Sequence, residues 1–462
     1  MITRLCRKVA DCSHRILTRL GVASVKTITT IVLFCITLLS TETEARFLGQ
    51  FSLTLGEEFN DNIFFSSERE HDFITQIVPT LSLTYQPDAL TIPIFKLNLS
   101  PVGQVFARHA GENNFGDNLL LDGQFQYPFS PRLSFAFADA MQIQGAARSQ
   151  AVGTYPSTPI LPTQLPAPGL SREQKLGNFL ESGDNLSNHF SVQTDYLVSP
   201  SITLNAAYTN GYTAFMDAGG NEISHEIGIR GVYQWRQEHN LHSGYTVKLL
   251  RPRKGGVKVL HNFDVGDDFF SNTQIQLSPT LTLSGSSGIS FNTSDDGPRI
   301  ANNTSVTLIK LWQTASFMAG LRKGLTNSFG VAGISDTLTV FSSFNVRLSE
   351  KLSAVASIDH SRFDTDVDEF NALQASVSLQ YALTSWACPS LSYSHRRRFG
   401  GESIANNGDR RFQTSGNVSG NSLLLAITGS FDIWPNLRLG SGQGCGIGSP
   451  AFSPQPSVRG RL

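Results

Sequence analysis

The strongest constraint in this sequence is a two-residue alternation of apolar and polar side chains along most of the chain beyond residue 46. Between Thr280 and Phe291, leucine, isoleucine and phenylalanine recur at odd positions, and threonine and serine recur at even positions. The segments Leu81–Gln86, Ile202–Thr209 and Leu373–Tyr381 repeat the pattern. Successive side chains of a strand point to opposite faces, so each segment predicts a strand with one apolar and one hydroxyl-rich face. Long strands of this kind are typical of barrels that cross a bilayer.

Short turn signals separate the predicted strands at eight places, where proline, serine or a polar pair interrupts the alternation. They lie at Ser130–Leu133, Ser199–Ile202, Ser278–Leu281, Ser349–Leu352, Pro87–Asp88, Gln237–Asn240, Gln313–Ala315 and Thr384–Ala387. Longer polar connections alternate with these turns, among them 110–117, 145–188 and 295–303. Eight turns join nine hairpins. The sequence therefore predicts an all-β, transmembrane, antiparallel up-and-down β-barrel of about 18 strands (about 16–18), with both ends in the periplasm.

The first 45 residues have the organisation of a secretory signal peptide. A basic region is followed by the apolar run from Ile28 to Leu39, and Thr43-Glu44-Ala45 offers a small residue for cleavage. The apolar run is too short to span a bilayer as a helix. We therefore divide the chain into a signal peptide (1–45), a barrel (46–434) and a Gly/Pro/Ser-rich periplasmic tail (435–462).

The charge balance excludes a nucleic-acid partner and the motifs predict no enzyme. The chain of 462 residues has a formal net charge of −1, and 16% of its residues are charged. No Gly-x-Ser-x-Gly elbow, zinc helix or phosphate-binding loop occurs. The pairs His242-Ser243 and Ser394-His395 are neighbours on predicted strands, so their side chains point to opposite faces. We predict no catalytic residue, no cofactor and no metal ion, and we keep an outer-membrane hydrolase as a minor alternative.

The tryptophans give an independent indication of a membrane boundary. Trp235, Trp312 and Trp386 lie beside or within predicted short turns, and Trp434 ends the last predicted strand. Amphipathic aromatic rings collect at membrane–water interfaces, so we predict a girdle of these four residues on one side. The alternative is that they are core residues of a soluble β-sandwich, because alternating strands also occur in that fold.

The first predicted hairpin resembles a known family. Its segment Phe51–Phe64 contains Asp61-Asn62-Ile63-Phe64, and Asp72–Pro79 follows. These motifs resemble the opening hairpin of a family of outer-membrane β-barrel porins, several of which are associated with exopolysaccharide or capsule export. The resemblance covers about forty residues and implies a porin-like barrel. The chain departs from many outer-membrane proteins in ending on Leu462 after a long tail rather than on an aromatic residue of the last strand.

Three groups of residues are candidates for function or for local stabilisation. Arg396 and Arg398 share the predicted lumen side of their strand and could select anions, or they could contact lipopolysaccharide phosphates. Asp61 and Asn62 could belong to a calcium or sugar site, although an Asx-rich turn at a strand end is the more economical interpretation. Cys388 and Cys445 both fall on the predicted periplasmic side, an oxidising compartment, and we predict a disulfide between them.

Taken together, these features predict passage or export of a polar solute, for which the family resemblance suggests a polysaccharide, through a barrel in the outer membrane of a Gram-negative cell. The alternative is a non-conducting barrel that is plugged by its own loops and serves as a docking structure for a secretion or envelope complex. The expected partners are outer-membrane lipid and lipopolysaccharide, the barrel assembly machinery, and polysaccharide export components.

Overall fold

The computed structural model describes residues 46–432 except 66–68, 87–93, 145–184, 216–220, 237–238, 252–256, 270–274, 279–280, 295–296, 327–334, 365–368, 385 and 401–416. The strands of this part of the chain are β1 Arg46–Asn60, β2 Asp72–Gln86, β3 Ile94–Phe106, β4 Asn114–Ser130, β5 Leu133–Gln144, β6 Asn185–Ser199, β7 Ile202–Phe215, β8 Asn221–Arg236, β9 His239–Arg251, β10 Lys258–Phe269, β11 Ile275–Ser278, β12 Leu281–Ser294, β13 Gly297–Leu311, β14 Ala315–Thr326, β15 Ser335–Arg347, β16 Leu352–Asp364, β17 Glu369–Tyr381, β18 Ala387–Phe399 and β19 Val418–Asp432.

The strands form one closed antiparallel barrel. Apart from β10 and β11, each strand pairs with its sequence neighbours, and β1 also pairs with β19, from Gln50 opposite Asp432 to Asn60 opposite Ser422. Both β10 and β11 run antiparallel to β12, so the two are successive pieces of one strand of the wall. The nineteen segments therefore make a wall of 18 strands, which confirms the predicted fold and strand count. The placement of both ends in the periplasm stays a prediction.

Most of the short connections lie at one end of the barrel and most of the long ones at the other, as the sequence predicts. The tight connections β4–β5 and β6–β7 are stabilised by serine hydroxyls, since Ser130 Oγ accepts hydrogen bonds from the backbone N–H groups of Arg132 and Leu133. One expected long connection is wrong: β13 already begins at Gly297, which pairs with Ser294, where the sequence suggested a loop over 295–303. Asn302 and Asn303 belong to this strand and pair with Ile289 and Gly288 of β12.

The two faces of the wall differ in chemistry. On the outward face, large apolar side chains are exposed, such as Leu425 at 60% and Ile427 at 45%. On the inward face, hydroxyl groups of adjacent strands are hydrogen bonded to each other. The pairs include Thr339 with Ser361 at 2.8 Å, Ser357 with Ser376 at 2.8 Å and Ser394 with Ser422 at 2.9 Å. The barrel thus has an apolar exterior and a polar lining that is rich in hydroxyl groups.

Helical structure is minimal. The described residues contain one short 3-10 turn, Ala110–Glu112, between β3 and β4. None of the helical structure in the described part of the chain is long and apolar enough to cross a membrane.

Candidate functional site

The connection between β1 and β2, which we name the first loop (residues 61–71), turns into the mouth of the barrel. Its residues Ile63, Phe64 and Phe65 are buried, with 0%, 2% and 4% of their surfaces exposed. On one side, Phe65 belongs to a cluster with inward-facing residues of β16, β17 and β19, namely Phe363, Phe370, Ala372 and Val418. On the other side, Ile63 and Phe64 cluster with Ile74 of β2 and Phe106 of β3. The first loop therefore packs against inward residues of the strands on both sides of β1 and fills part of the mouth.

Asp61 and Asn62 fix the point at which the first loop leaves the wall. The backbone N–H of Asp61 donates to the carbonyl of Asn421, and its carboxylate accepts hydrogen bonds from the Asn421 backbone at 2.5 Å and Nδ2 at 2.7 Å. The backbone N–H of Asn62 donates to Asn60 Oδ1 and its Nδ2 donates to the carbonyl of Ser419, both at 3.0 Å. This arrangement is an Asx-type turn that is anchored to the last strand.

Two backbone features make room for this turn. A Cβ atom at Gly420 of β19 would lie 3.4 Å from Asn62 Cβ and 3.5 Å from Phe65 Cδ2, so the absence of a side chain allows the first loop to pass close by. Phe65 has φ of 47°, in the left-handed region, which is costly for a non-glycine residue and is maintained here by its buried ring.

Beneath the first loop lies a buried polar network on the inward face. Gln76 Nε2 donates to Glu58 Oε2 at 2.5 Å, and both residues are 0% exposed. Arg396 and Arg398 lie on the same inward side, opposite Gly420 and Val418, as their predicted register requires. Arg398 is 4% exposed and its guanidinium lies 4.5 Å from the centre of the Phe370 ring. Arg398 is thus covered rather than presented to the lumen, and the anion-selecting role of both arginines stays a prediction.

Charged residues that the sequence analysis did not single out lie on the inward face of β6 to β9. Lys248 Nζ is 3.5 Å from Glu226 Oε2, and the Glu226 side chain is 44% exposed. On β6, Asp195 accepts a hydrogen bond from Asn205 Nδ2 at 2.5 Å. The signal that could have found them is the alternation itself, because these positions carry charge where other strands carry hydroxyl groups.

The connection after β3 holds the first loop from the other side. His109 Nδ1 is 2.7 Å from Asp72 Oδ2, and His109 Nε2 is 2.8 Å from Glu70 Oε2. Asp72, which is 0% exposed, also accepts hydrogen bonds from the backbone N–H groups of Arg108 and His109. Burial alone would lower the pKa of His109, but the hydrogen bonds to Asp72 and Glu70 outweigh it and raise that pKa above its usual value. The His109 ring also packs edge-on against Phe64 at 5.8 Å.

The other predicted residues that the structure describes, Trp235, Trp312, Trp386 and Cys388, lie at the short-turn end. Trp235, Trp312 and Trp386 are about half exposed there, at 52%, 47% and 52%, and Trp434 lies outside the described residues, so the girdle stays a prediction. Cys388 is 2% exposed and disulfide-bonded. Cys445 lies outside the described residues, and its pairing with Cys388 stays a prediction.

No arrangement for metal binding or nucleophilic catalysis is evident in the part of the chain that the structure describes. No group of three or more His, Cys, Asp or Glu side chains there is placed to hold a metal ion. In the pair Ser394-His395, Ser394 bonds inward to Ser422, whereas His395 Nδ1 lies outward at 2.8 Å from Asn421 Oδ1. The two side chains therefore point to opposite faces, as a strand requires.

Comparisons with known proteins give matches among solved structures, all of them at low sequence identity. No family model matches the sequence, and no curated protein matches it. Among solved structures, Pseudomonas aeruginosa OccK2 (OpdF) in complex with glucuronate is 9% identical, covering 84% of this chain and 98% of that chain with a TM-score of 0.44. Pseudomonas aeruginosa OpdQ is 10% identical (85% and 98% covered, TM-score 0.43), and a BenF-like porin from Pseudomonas fluorescens Pf-5 is 11% identical (83% and 99% covered, TM-score 0.41).

Proposed function

We propose that this protein is a porin-like channel of the Gram-negative outer membrane that passes a small polar solute. The observation that carries the proposal is the division of the wall into an exposed apolar exterior and a hydroxyl-lined interior around a closed barrel. An apolar outer band is stable against lipid, and a closed barrel leaves no unpaired backbone groups in the bilayer. A polar interior with serine and threonine hydroxyls suits hydrated solutes.

The first loop favours a small solute over a long polymer. Ile63, Phe64 and Phe65 fill part of the mouth and pack against inward residues on two sides, which narrows the path through the barrel. Export of an exopolysaccharide, which the family resemblance suggests, would require this loop to move. On this proposal the long connections face the cell exterior, the short turns and both termini lie in the periplasm, and the barrel assembly machinery and lipopolysaccharide are its partners.

The same loop favours a second candidate, a non-conducting barrel that docks other envelope components. Its residues are held by side chains of β2, β3, β16, β17 and β19, so the loop is a fixed part of the mouth. A barrel whose remaining opening is closed would have no transport role. Conductance distinguishes the two candidates.

The test is single-channel conductance in planar bilayers, with three purified and refolded proteins: the unaltered chain, a variant with Ile63, Phe64 and Phe65 all changed to serine, and Phe73→Ser as a control. Phe73 lies beside the first loop but is 53% exposed on the outward face. For a channel, the unaltered protein and the control conduct equally and the triple variant conducts several-fold more. A triple variant that conducts where the unaltered protein does not would favour the docking barrel. No conductance from any folded protein would refute the channel.

A further inference from the structure

Two strands, β16 and β18, carry a cluster of basic side chains on the outward face, toward the loop end, on either side of β17. The register aligns Ile358, Ala375 and His395 in one row across β16, β17 and β18. The next row toward the loops contains His360, Leu373 and Arg397, and the one after it contains Arg362, Asn371 and Phe399. The outward face thus changes from apolar to basic within two residues on β16 and β18. We name His360, Arg362, Arg397 and Phe399 the rim patch.

Within the rim patch, Arg397 and His360 converge on one aromatic ring. The guanidinium carbon of Arg397 lies 5.5 Å from the centre of the Phe399 ring, and His360 stacks on the same ring with centroids 5.9 Å apart. Neither side chain has a hydrogen-bond partner within the described part of the chain. Arg362, in contrast, is engaged by Glu369 at 2.6 Å. The N–H donors of Arg397 and His360 are therefore available to an anion that lies beside the Phe399 ring.

An apolar groove on the outward face leads to the rim patch. It has a volume of about 420 Å³ and is lined by Val306, Leu308, Ala319, Val340, Ser342 and His360. The groove forms because the small side chains of Ala319 and Ser342 lie opposite each other, whereas the neighbouring strands carry larger residues. At the side nearest the loops the groove ends at His360, which is opposite Val340. An elongated apolar chain in this groove would bring a polar head group to Arg397 and His360.

We propose that the rim patch and the groove together bind one phosphorylated lipid, with an acyl chain in the groove and a phosphate at Arg397 and His360. An arginine beside an aromatic ring offers two parallel donors to a phosphate, and a neighbouring imidazole adds a third. The groove selects a lipid over a free anion, because a soluble phosphate would gain nothing from the apolar wall. This inference rests on the part of the proposed function that places the barrel in a bilayer, and it does not require that the barrel conducts.

The experiment is native mass spectrometry of the delipidated barrel in detergent, titrated with hexa-acylated lipid A that carries both phosphates or with the same lipid after removal of its phosphates. We expect the phosphorylated form to bind more tightly, by about tenfold or more, and Arg397→Gln to abolish that preference. Arg397→Lys keeps the positive charge and should retain part of the preference for the phosphorylated lipid. Lys310→Gln, which removes an outward cation near Trp312 at the opposite boundary, should change nothing. A gel shift on heating confirms that each variant is folded.

A second pair of variants tests the groove. Ala319→Phe fills the groove and should weaken binding of both lipid forms, whereas Ala206→Phe, at an outward alanine of β7, should leave it unchanged. Equal binding of phosphorylated and dephosphorylated lipid would overturn the proposal. It would also be overturned if millimolar inorganic phosphate displaced the lipid and Ala319→Phe left lipid binding unchanged. Conductance is measured separately. A barrel that conducts but shows no preference for the phosphorylated lipid would therefore refute the lipid site and would not contradict the proposed channel.

Discussion

The inward face of the barrel has two contrasting regions, which we name the covered wall (β18, β19, β1 and β2) and the open wall (β6 to β9). On the covered wall, Glu58 and Gln76 are 0% exposed and Arg398 is 4% exposed, because the first loop lies over them. On the open wall, the side chains of Glu226 and Lys248 are 44% and 19% exposed. Both walls have the same strand geometry and both carry charged residues at inward positions.

The difference shows that an inward position does not by itself make a charge part of the permeation path. A solute is attracted or repelled by the charges that it approaches without an intervening layer of protein. Phe65 of the first loop packs with Phe370, whose ring lies against the Arg398 guanidinium, and these two rings supply such a layer over Arg398. On the proposed function, the charges of the covered wall stabilise the mouth and the charges of the open wall act on the solute.

The largest expected effect concerns the anchoring of the covered wall. Asp72→Ala removes the acceptor of the Arg108 and His109 backbone N–H groups and of the His109 ring. A buried donor left without an acceptor costs about 1–3 kcal/mol. We expect the amides of Arg108 and His109 to exchange with deuterium about a hundredfold faster, as measured by hydrogen-exchange mass spectrometry.

Two controls accompany this variant. Asp72→Asn retains an acceptor oxygen and should show a smaller increase. Asp336→Ala removes a carboxylate of similar kind that is 36% exposed and lies 3.9 Å from Lys323. It should leave exchange at Arg108 and His109 unchanged, and an equal increase in all three variants would show that Asp72 has no special role.

An intermediate effect is expected on ion selectivity, where the two walls should respond differently. Lys248→Gln removes a cation of the open wall and leaves Glu226 without its partner, so the reversal potential in a salt gradient should shift toward cations. A unit charge about 5 Å from an ion in water changes its energy by roughly 0.8 kcal/mol, or about fourfold in permeability ratio. Arg398→Gln on the covered wall should produce no shift.

The comparison becomes sharper when the first loop is altered as well. Combined with the serine substitutions at Ile63, Phe64 and Phe65, Arg398→Gln should shift selectivity toward cations, because the loop no longer covers the arginine. A shift in the single Arg398→Gln variant would contradict the distinction between the walls and would support the role first predicted for this residue.

The barrel itself could be predicted from sequence because its signals are local. Each strand repeats the two-residue alternation, and turns such as Ser130–Leu133 and Ser349–Leu352 use a serine hydroxyl that caps the backbone two and three residues later. Where the local signal was ambiguous the prediction was wrong. The start of β13 resembled a loop because Gly297, Pro298, Asn302 and Asn303 are of residue types that are also common in turns.

The arrangement of the mouth could not be predicted, because it depends on contacts between distant parts of the chain. Asp61 and Asn421 are separated by 360 positions, and the resemblance that identified Asp61-Asn62-Ile63-Phe64 gave no indication that this motif turns inward. The alternation places Arg396 and Arg398 on one face, but the burial of Arg398 depends on Phe65 and Phe370, which belong to other segments. Alternation assigns a face to each side chain and does not show what covers it.

The smallest expected effect is the response of the mouth to pH, and it should be confined to the covered wall. With both ring nitrogens against carboxylates, His109 donates two hydrogen bonds only when it is protonated. Because its pKa is raised in the folded protein, this contribution is fully present below the unfolded value, about 6.5, and is lost as the pH rises through the raised pKa. After correction for intrinsic exchange, opening at Arg108 and His109 should increase with pH by about twofold, since a partly exposed ion pair is worth only about 0.5 kcal/mol. His109→Gln should abolish the dependence, and a pH response that persists in this variant would assign it to another group.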